Sequence, residues 1–156
     1  MKLSEVELDQ LKERLIRWMQ ERLQAIGAKN AVVGISGGKD SATVAALCVA
    51  AYGKEHVYGV LMPDGAQSDI DYAKDLCEAL DIPHEVINIS GMTKAFYEAM
   101  DGCRFFEAVS RQTQLNLPPR VRMTLLYAVA QSLDAVVVNT SNLSEDWVGY
   151  ATLYGD

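Results

Sequence analysis

Within eight consecutive positions, Gly34-Ile35-Ser36-Gly37-Gly38-Lys39-Asp40-Ser41, the chain gathers three glycines, two hydroxyls, an ammonium and a carboxylate. Glycine lets a backbone approach an anion without a Cβ in the way, while Ser36 and Ser41 offer hydroxyl donors and Lys39 adds positive charge. The apolar Ala31-Val32-Val33 precedes this segment and the helix-compatible Ala42-Thr43-Val44-Ala45-Ala46-Leu47 follows it. It therefore reads as strand, glycine turn and helix start. Such a junction aims backbone N–H groups and the positive end of a helix dipole at one small volume, which suits phosphate. A nucleotide is the expected ligand.

Asp40 is the discordant member, because a carboxylate beside phosphates repels them unless a cation lies between. Mg2+ resolves the conflict, since it takes oxygen ligands from one or two carboxylates plus phosphate. The competing reading makes Asp40 a helix N-cap. Spacing excludes two familiar glycine motifs. A Walker A loop needs Gly, four residues, then Gly-Lys-Ser/Thr, but Asp40 follows Gly38-Lys39 and Val33 stands five positions before Gly38. The dinucleotide pattern fails because Ser36 follows Gly34 by two. What remains, Ser-Gly-Gly-x-Asp-Ser, resembles the pyrophosphate loop of the N-type ATP pyrophosphatases, enzymes that cleave ATP into AMP and pyrophosphate.

These residues need a scaffold, and the chain supplies an alternating pattern. Apolar runs at 31–35, 56–62 and 84–89 are separated by helix-length segments at 41–52 and 68–81, which argues for parallel strands joined by right-handed helical crossovers. Ser68 is placed to cap the second crossover helix, with Asp69 and Asp71 in its first turn. Upstream, Leu8, Leu11, Leu15, Trp18, Met19, Leu23 and Ile26 recur at helical intervals, and Ser4 with Glu7 forms a capping-box signal. A first helix is expected over residues 4–26, stopped by Gly27. Its stripe covers the sheet or packs on another subunit, and burial within the subunit is the favoured alternative.

Residues 93–100 look helical, whereas 102–114 fit either a second helix or a loop. Asn116 and Pro118-Pro119 announce a further helix with Leu117, Val121, Leu125, Val129 and Leu133 every four residues, leading into a fourth buried strand at 135–138. In an open parallel sheet the ligand crevice lies beyond the carboxyl ends of the strands. Residues 34–41, 63–68 and 140–145 all arrive there. Glu145 can then serve as a second magnesium ligand or complete a capping box with Asn142. Arg120 and Arg122, about 200° apart on a helix, cannot both face one pocket: one is expected to reach an anionic substrate and the other to serve the fold.

At 156 residues and 49% hydrophobic content the chain suits one domain that hides about 68–70% of its extended surface. Apolar stretches are strand-length or interrupted by charges, and the acidic N-terminus lacks a secretory pattern. A net charge of −7 argues against nucleic acid and anionic membrane as partners. Cys48, Cys77 and Cys103 form no Cys-x-x-Cys pair and read as free thiols of a cytoplasmic protein.

Arg120-Val121-Arg122-Met123, Leu126-Tyr127, the run from Asn139 through Thr140 and Asn142 to Glu145, and Val148-Gly149-Tyr150-Ala151-Thr152 ending in Tyr154-Gly155-Asp156 look like the ammonia-dependent NAD synthetases. With the glycine loop, this resemblance covers nearly the whole chain. It implies a Rossmann-like, three-layer α/β/α fold with a mainly parallel sheet, of the adenine nucleotide hydrolase type, usually as a homodimer. It also implies a ligase reaction. The carboxylate of deamido-NAD attacks the α-phosphate of ATP and expels pyrophosphate, then ammonia displaces AMP to give NAD. By motif matching, Gly34, Ile35, Ser36, Gly37, Gly38, Lys39, Asp40, Ser41 and Thr140 are expected to contact ATP, with Lys39 also in the catalytic set. Asp40 and Glu145 are expected to hold Mg2+, Arg120 and Tyr150 to contact deamido-NAD, and Asp156 to help receive ammonia.

Two departures qualify the match. Leu153 stands where many relatives have lysine, and the family continues past Asp156 with further substrate-contacting residues, including a lysine and a threonine near ATP. The rivals are a truncated, non-catalytic ATP-binding module and a pyrophosphate-loop enzyme acting on a different acid.

Overall fold

A computed structural model describes residues 4–68 and 70–155. Its elements in chain order are α1 (Glu5–Ile26), β1 (Asn30–Gly34), α2 (Lys39–Tyr52), a short 3-10 turn (Lys54–His56), β2 (Val57–Leu61), α3 (Ile70–Ala79), β3 (His84–Val86), α4 (Ser90–Met100), α5 (Arg111–Ser132), β4 (Ala135–Val138) and α6 (Leu143–Val148). The strands form one parallel sheet in the order β3-β2-β1-β4. This is the expected Rossmann-like α/β/α architecture.

Side-chain alternation along the strands builds both cores. Val33, Ile35, Val57 and Leu61 meet Ala45, Cys48 and Ala51 of α2, Ala73 and Cys77 of α3, and Met19 of α1. Their neighbours Val32, Val60 and Met62 point the other way, onto Ile89 and Leu117, Val121, Leu126 and Ala130 of α5. In β4, Val138 packs against the first core while Ala135 and Val137 pack against the second. Cys48 and Cys77 are buried free thiols, whose burial pushes them up to about 12 and about 11.

The capping box of α1 forms as expected: Ser4 Oγ accepts from the Glu7 N–H, Glu7 Oε2 accepts from the Ser4 N–H, and Gly27 closes the helix at φ 75°. The stripe is placed differently from the favoured expectation. Met19 is buried and Ile16 packs against the core, but Leu8, Leu11, Leu15 and Trp18 are exposed, because α1 lies against α2 rather than directly on the sheet. Asp71 does sit in the first turn of α3. Asp69, expected beside it, lies outside the described residues.

Two boundaries also differ. The third strand is three residues long rather than spanning 84–89, although the Ile87 and Ile89 N–H groups continue the ladder to the Leu61 and Pro63 carbonyls. The helix α5 starts at Arg111, capped by Ser110 Oγ on the Thr113 N–H, so Pro118 and Pro119 lie inside it instead of starting it. Proline lacks the N–H that would bond to the carbonyl four residues back. The affected carbonyls belong to Gln114 and Leu115, both exposed, where water can satisfy them.

Candidate active site

The sheet order places a topological switch point between β1 and β4, since the chain winds outward from β1 through β2 and β3 and then returns to the other side. Register makes the crevice concrete. Val33 pairs with Val138 and Gly34 with Val60, so the glycine loop and Asn139 leave the sheet at the same level, on strands about 4.8 Å apart. The segment after β2 leaves beside them. A broad, open concavity lies elsewhere, along α1 between Leu11, Leu15 and Trp18. A phosphate cradle is made of backbone N–H groups and is shallow, so topology locates it better than volume.

The eight loop residues divide into two sets. Gly34 closes the packing between β1 and α5, because a Cβ there would lie 3.3 Å from Leu126 Cδ1 and 3.4 Å from Met62 Cε. Ile35 is buried and its N–H bonds to the Val60 carbonyl. From Ser36 onward the chain turns out, with Gly37 at φ 84° and Gly38 as the N-cap of α2 without a side-chain cap. Asp40 is thus in the first turn of α2 and is not its N-cap. It is half-buried and has no hydrogen-bond partner among the described residues, while Lys39 is exposed.

Ser41 is 3% exposed and internally engaged. Its Oγ donates to the Gly38 carbonyl at 3.0 Å, accepts from the Ser36 N–H at 3.3 Å, and lies 3.1 Å from Ser36 Oγ. Ser36 Oγ in turn accepts from the Gly38 N–H at 3.2 Å. The two serines fold the loop upon itself.

After β4, Asn139 Oδ1 accepts from the Ser141 N–H at 2.6 Å, and Thr140 is half-buried at the rim. Glu145 forms the capping box of α6: its Oε2 accepts from the Asn142 N–H at 3.0 Å, and its own N–H donates to Asn142 Oδ1 at 3.1 Å. One carboxylate oxygen stays available. Asp40 lies in the first turn of the helix after β1 and Glu145 in the first turn of the helix after the neighbouring strand β4, and among the described residues no cluster of three or more metal-ligating side chains is found.

The arginines separate as their helical angle requires. Arg122 Nε donates to the Met62 carbonyl at 3.0 Å and ties α5 to the end of β2, whereas the exposed Arg120 donates to the Leu153 carbonyl at 3.1 Å. Leu126 abuts Gly34 at the end of β1, so Arg120, six residues nearer the helix start, stands about 9 Å further along α5. Tyr150 is exposed in the segment that packs back on α5 through Thr152 and Leu153. Asp156 lies outside the described residues.

Sequence reasoning missed the residues that hold the loop after β2. Asn88 accepts from the Gly65 N–H and donates to the Gly65 carbonyl, and Thr93 Oγ1 donates to Asp64 Oδ1 at 2.9 Å. Contacts 23 and 29 residues apart leave no periodic trace; an asparagine at a strand end was the one available signal.

Comparisons with known proteins agree with this geometry. The profile of the NAD synthase family matches residues 11–156. The chain is 41% identical over 144 residues to an NH(3)-dependent NAD(+) synthetase of Thermococcus kodakarensis, covering 92% of this chain and 55% of that protein. With the corresponding protein of Methanosarcina mazei it shares 39% over 154 residues, covering 97% and 59%. Among solved structures, the NH3-dependent NAD synthetase of Campylobacter jejuni, in complex with the nitrate ion, superposes with a TM-score of 0.85 at 33% identity over 94% of this chain and 62% of that one. An NMN synthetase from Francisella tularensis gives 0.84 at 30% identity, over 94% and 60%. The chain spans little more than half the length of these curated relatives. Profile, identity and superposition converge on one assignment: this chain belongs to the NAD synthase family.

Proposed function

We propose that this chain is the ATP-cleaving part of an ammonia-dependent NAD synthetase. The carrying observation is the register that brings the glycine loop and the Thr140–Glu145 stretch together at the switch point of a parallel sheet. In this reading the ribbon from Ser36 to Lys39 and the start of α2 cradle the phosphates, Thr140 flanks them, and Lys39 offsets their charge. Gly34, Ile35 and Ser41 shape the cradle from within. The nicotinate carboxylate of deamido-NAD attacks the α-phosphorus, and the bond to the β-phosphate breaks to release pyrophosphate. Ammonia then attacks the activated carbonyl carbon, loses a proton and displaces AMP.

The donor set fits Mg2+: a half-buried carboxylate at Asp40 without a protein partner and one unengaged oxygen on Glu145, both hard oxygen ligands. The ion would arrive with ATP and supply charge neutralisation of the phosphates. Arg120 and Tyr150 are assigned to deamido-NAD, and Asp156 to the ammonia side. The exposed apolar face of α1 supports a homodimer, tested by sedimentation of the pure chain. Use of ATP and two buried free thiols support a cytoplasmic setting, and among the described residues no helix is long and apolar enough to cross a membrane.

The test supplies ATP, Mg2+, ammonium and deamido-NAD to the chain and measures AMP, pyrophosphate and NAD in equal amounts. Pyrophosphate release with another acid and none with deamido-NAD would sink the substrate assignment. The similarity to an NMN synthetase favours a specific second reading, so nicotinate mononucleotide is run in parallel. Magnesium-dependent ATP binding without any product would identify a binding module.

A further inference from the structure

The hydrogen-bond ladder between β2 and β3 runs on past the ends of both strands. The Ile87 N–H donates to the Leu61 carbonyl and the Ile89 N–H to the Pro63 carbonyl, both at 2.8 Å. The next rung would fall at Gly65, but Ser90 already begins α4 and the main chain has turned away. The Asn88 side chain supplies that rung instead. Its Nδ2 donates to the Gly65 carbonyl at 3.0 Å and its Oδ1 accepts from the Gly65 N–H at 3.2 Å, so one amide holds both polar groups of one residue. The same Oδ1 accepts from the Ser90 N–H at 2.9 Å.

Gly65 is the point at which such a clamp has most effect. Its φ of 83° suits glycine, and glycine has more conformational freedom to lose than any other residue. The residues before it are already fixed, Met62 by Arg122 Nε on its carbonyl and Asp64 by Thr93 Oγ1 on its carboxylate. Beyond it, among the described residues, no hydrogen bond holds Ala66 or Gln67. Gly65 therefore sets the direction in which residues 66–68 leave. Gly34 pairs with Val60, and the Ile35 N–H bonds to the Val60 carbonyl, so the chain leaving β2 forms the flank of the crevice opposite Thr140.

We propose that Asn88 is a positioning residue for the nucleotide site: by clamping Gly65 it fixes residues 66–68 on the flank of the crevice, so that ATP meets a flank already in order. A loop ordered in advance has less entropy to lose on binding, which raises affinity. Asn88 touches no ligand in this role. It stands at the end of β3, which β2 separates from the strand of the glycine loop, and it acts through the chain after β2 alone. This role rests on the reading of the glycine loop as an ATP site.

The test titrates ATP in magnesium by calorimetry into the unaltered chain and two variants. Asn88→Asp keeps both bonds accepted by Oδ1 and deletes only the one donated to the Gly65 carbonyl, whereas Asn88→Ala deletes all three and adds no charge. Loss of the one donated bond should weaken ATP binding about fivefold, and Asn88→Ala should weaken it further. Both variants should speed amide exchange at Gly65, Ala66 and Gln67. The same substitutions are then made in a chain carrying Ala66→Gly and Gln67→Gly, whose flank has little left to position. There the Asn88 effect should shrink to less than about twofold. An equal loss in both backgrounds would overturn the proposal, because a general loss of stability or the charge of a new carboxylate acts whatever stands at 66 and 67. Unchanged affinity in Asn88→Ala would overturn it as well, while leaving the ATP site in place. If the unaltered chain binds no ATP, the nucleotide reading fails and the role of Asn88 falls with it.

Discussion

Ser41→Ala should weaken ATP binding without removing a ligand contact, by loosening the loop that presents the contacts. The substitution deletes a bond donated to the Gly38 carbonyl and one accepted from the Ser36 N–H, at 3.0 and 3.3 Å. Each such bond contributes about 1 kcal/mol net, and water reaches the exposed Ser36 side of the loop, so the loss should be about 2 kcal/mol. For a chain of this size that corresponds to a fall in melting temperature of about 4–8 °C. If ATP selects the ordered loop, its affinity should drop by up to about thirtyfold. The assay pairs thermal unfolding with calorimetric titration of ATP in magnesium, on Ser41→Ala and on Ser36→Ala. Lost affinity at an unchanged melting temperature would refute the bracing role and make Ser41 a direct ligand. A lower melting temperature at unchanged affinity would show that loop order does not control binding.

Asp40→Asn should flatten the magnesium dependence of ATP binding measured by calorimetry; an unchanged dependence removes the carboxylate from the metal site. Gly59→Ala should cost about 1–3 kcal/mol in urea denaturation, because the new Cβ would lie 3.0 Å from Cys77 Sγ, and adding Cys77→Ala should recover much of it. Cys48 and Cys77 should resist alkylation at pH 8 until urea unfolds the chain. Burial raises both thiols in the folded state, so the stability they contribute is present below pH 9.0 and lost as pH climbs through about 11 to 12, which alkaline denaturation monitors. Ser4→Ala should release the α1 capping box at a cost of about 1 kcal/mol, read as faster amide exchange in its first turn.

Local rules carried much of the fold. The alternation of apolar strands and helices, the Ser4–Glu7 box and the strand-turn-helix character of residues 34–41 are short-range physics, and all are found in place. Misreadings arose where tertiary context overrides a local signal. Pro118-Pro119 is a sound helix-start signal, but exposed carbonyls at Gln114 and Leu115 make the helix interior tolerable. The α1 stripe has helical periodicity whichever partner it faces, so the pattern gives the helix and not its cover. At the site, residue types pointed to a phosphate loop, whereas the packing of Gly34 and Ile35 into the fold depends on Val60, Leu126 and Met62, which lie far away in sequence. The braces at Asn88 and Thr93 were illegible for the same reason.

The two prolines have a mechanical consequence for α5. Without N–H groups at 118 and 119, the turn spanning Gln114 to Pro119 lacks two rungs of its ladder, so α5 behaves as two coaxial rods meeting at a seam. The lower rod, from Arg120 downward, is anchored through Val121, Leu126 and Ala130, while the upper one, residues 111–117, is too short to be stable alone and depends on its Ser110 cap and on Leu117. Arg120 sits immediately below the seam. The Arg120 guanidinium is thus carried by the part of α5 that the second core anchors, so its position is set by Val121, Leu126 and Ala130 more than by the weakened turn above it.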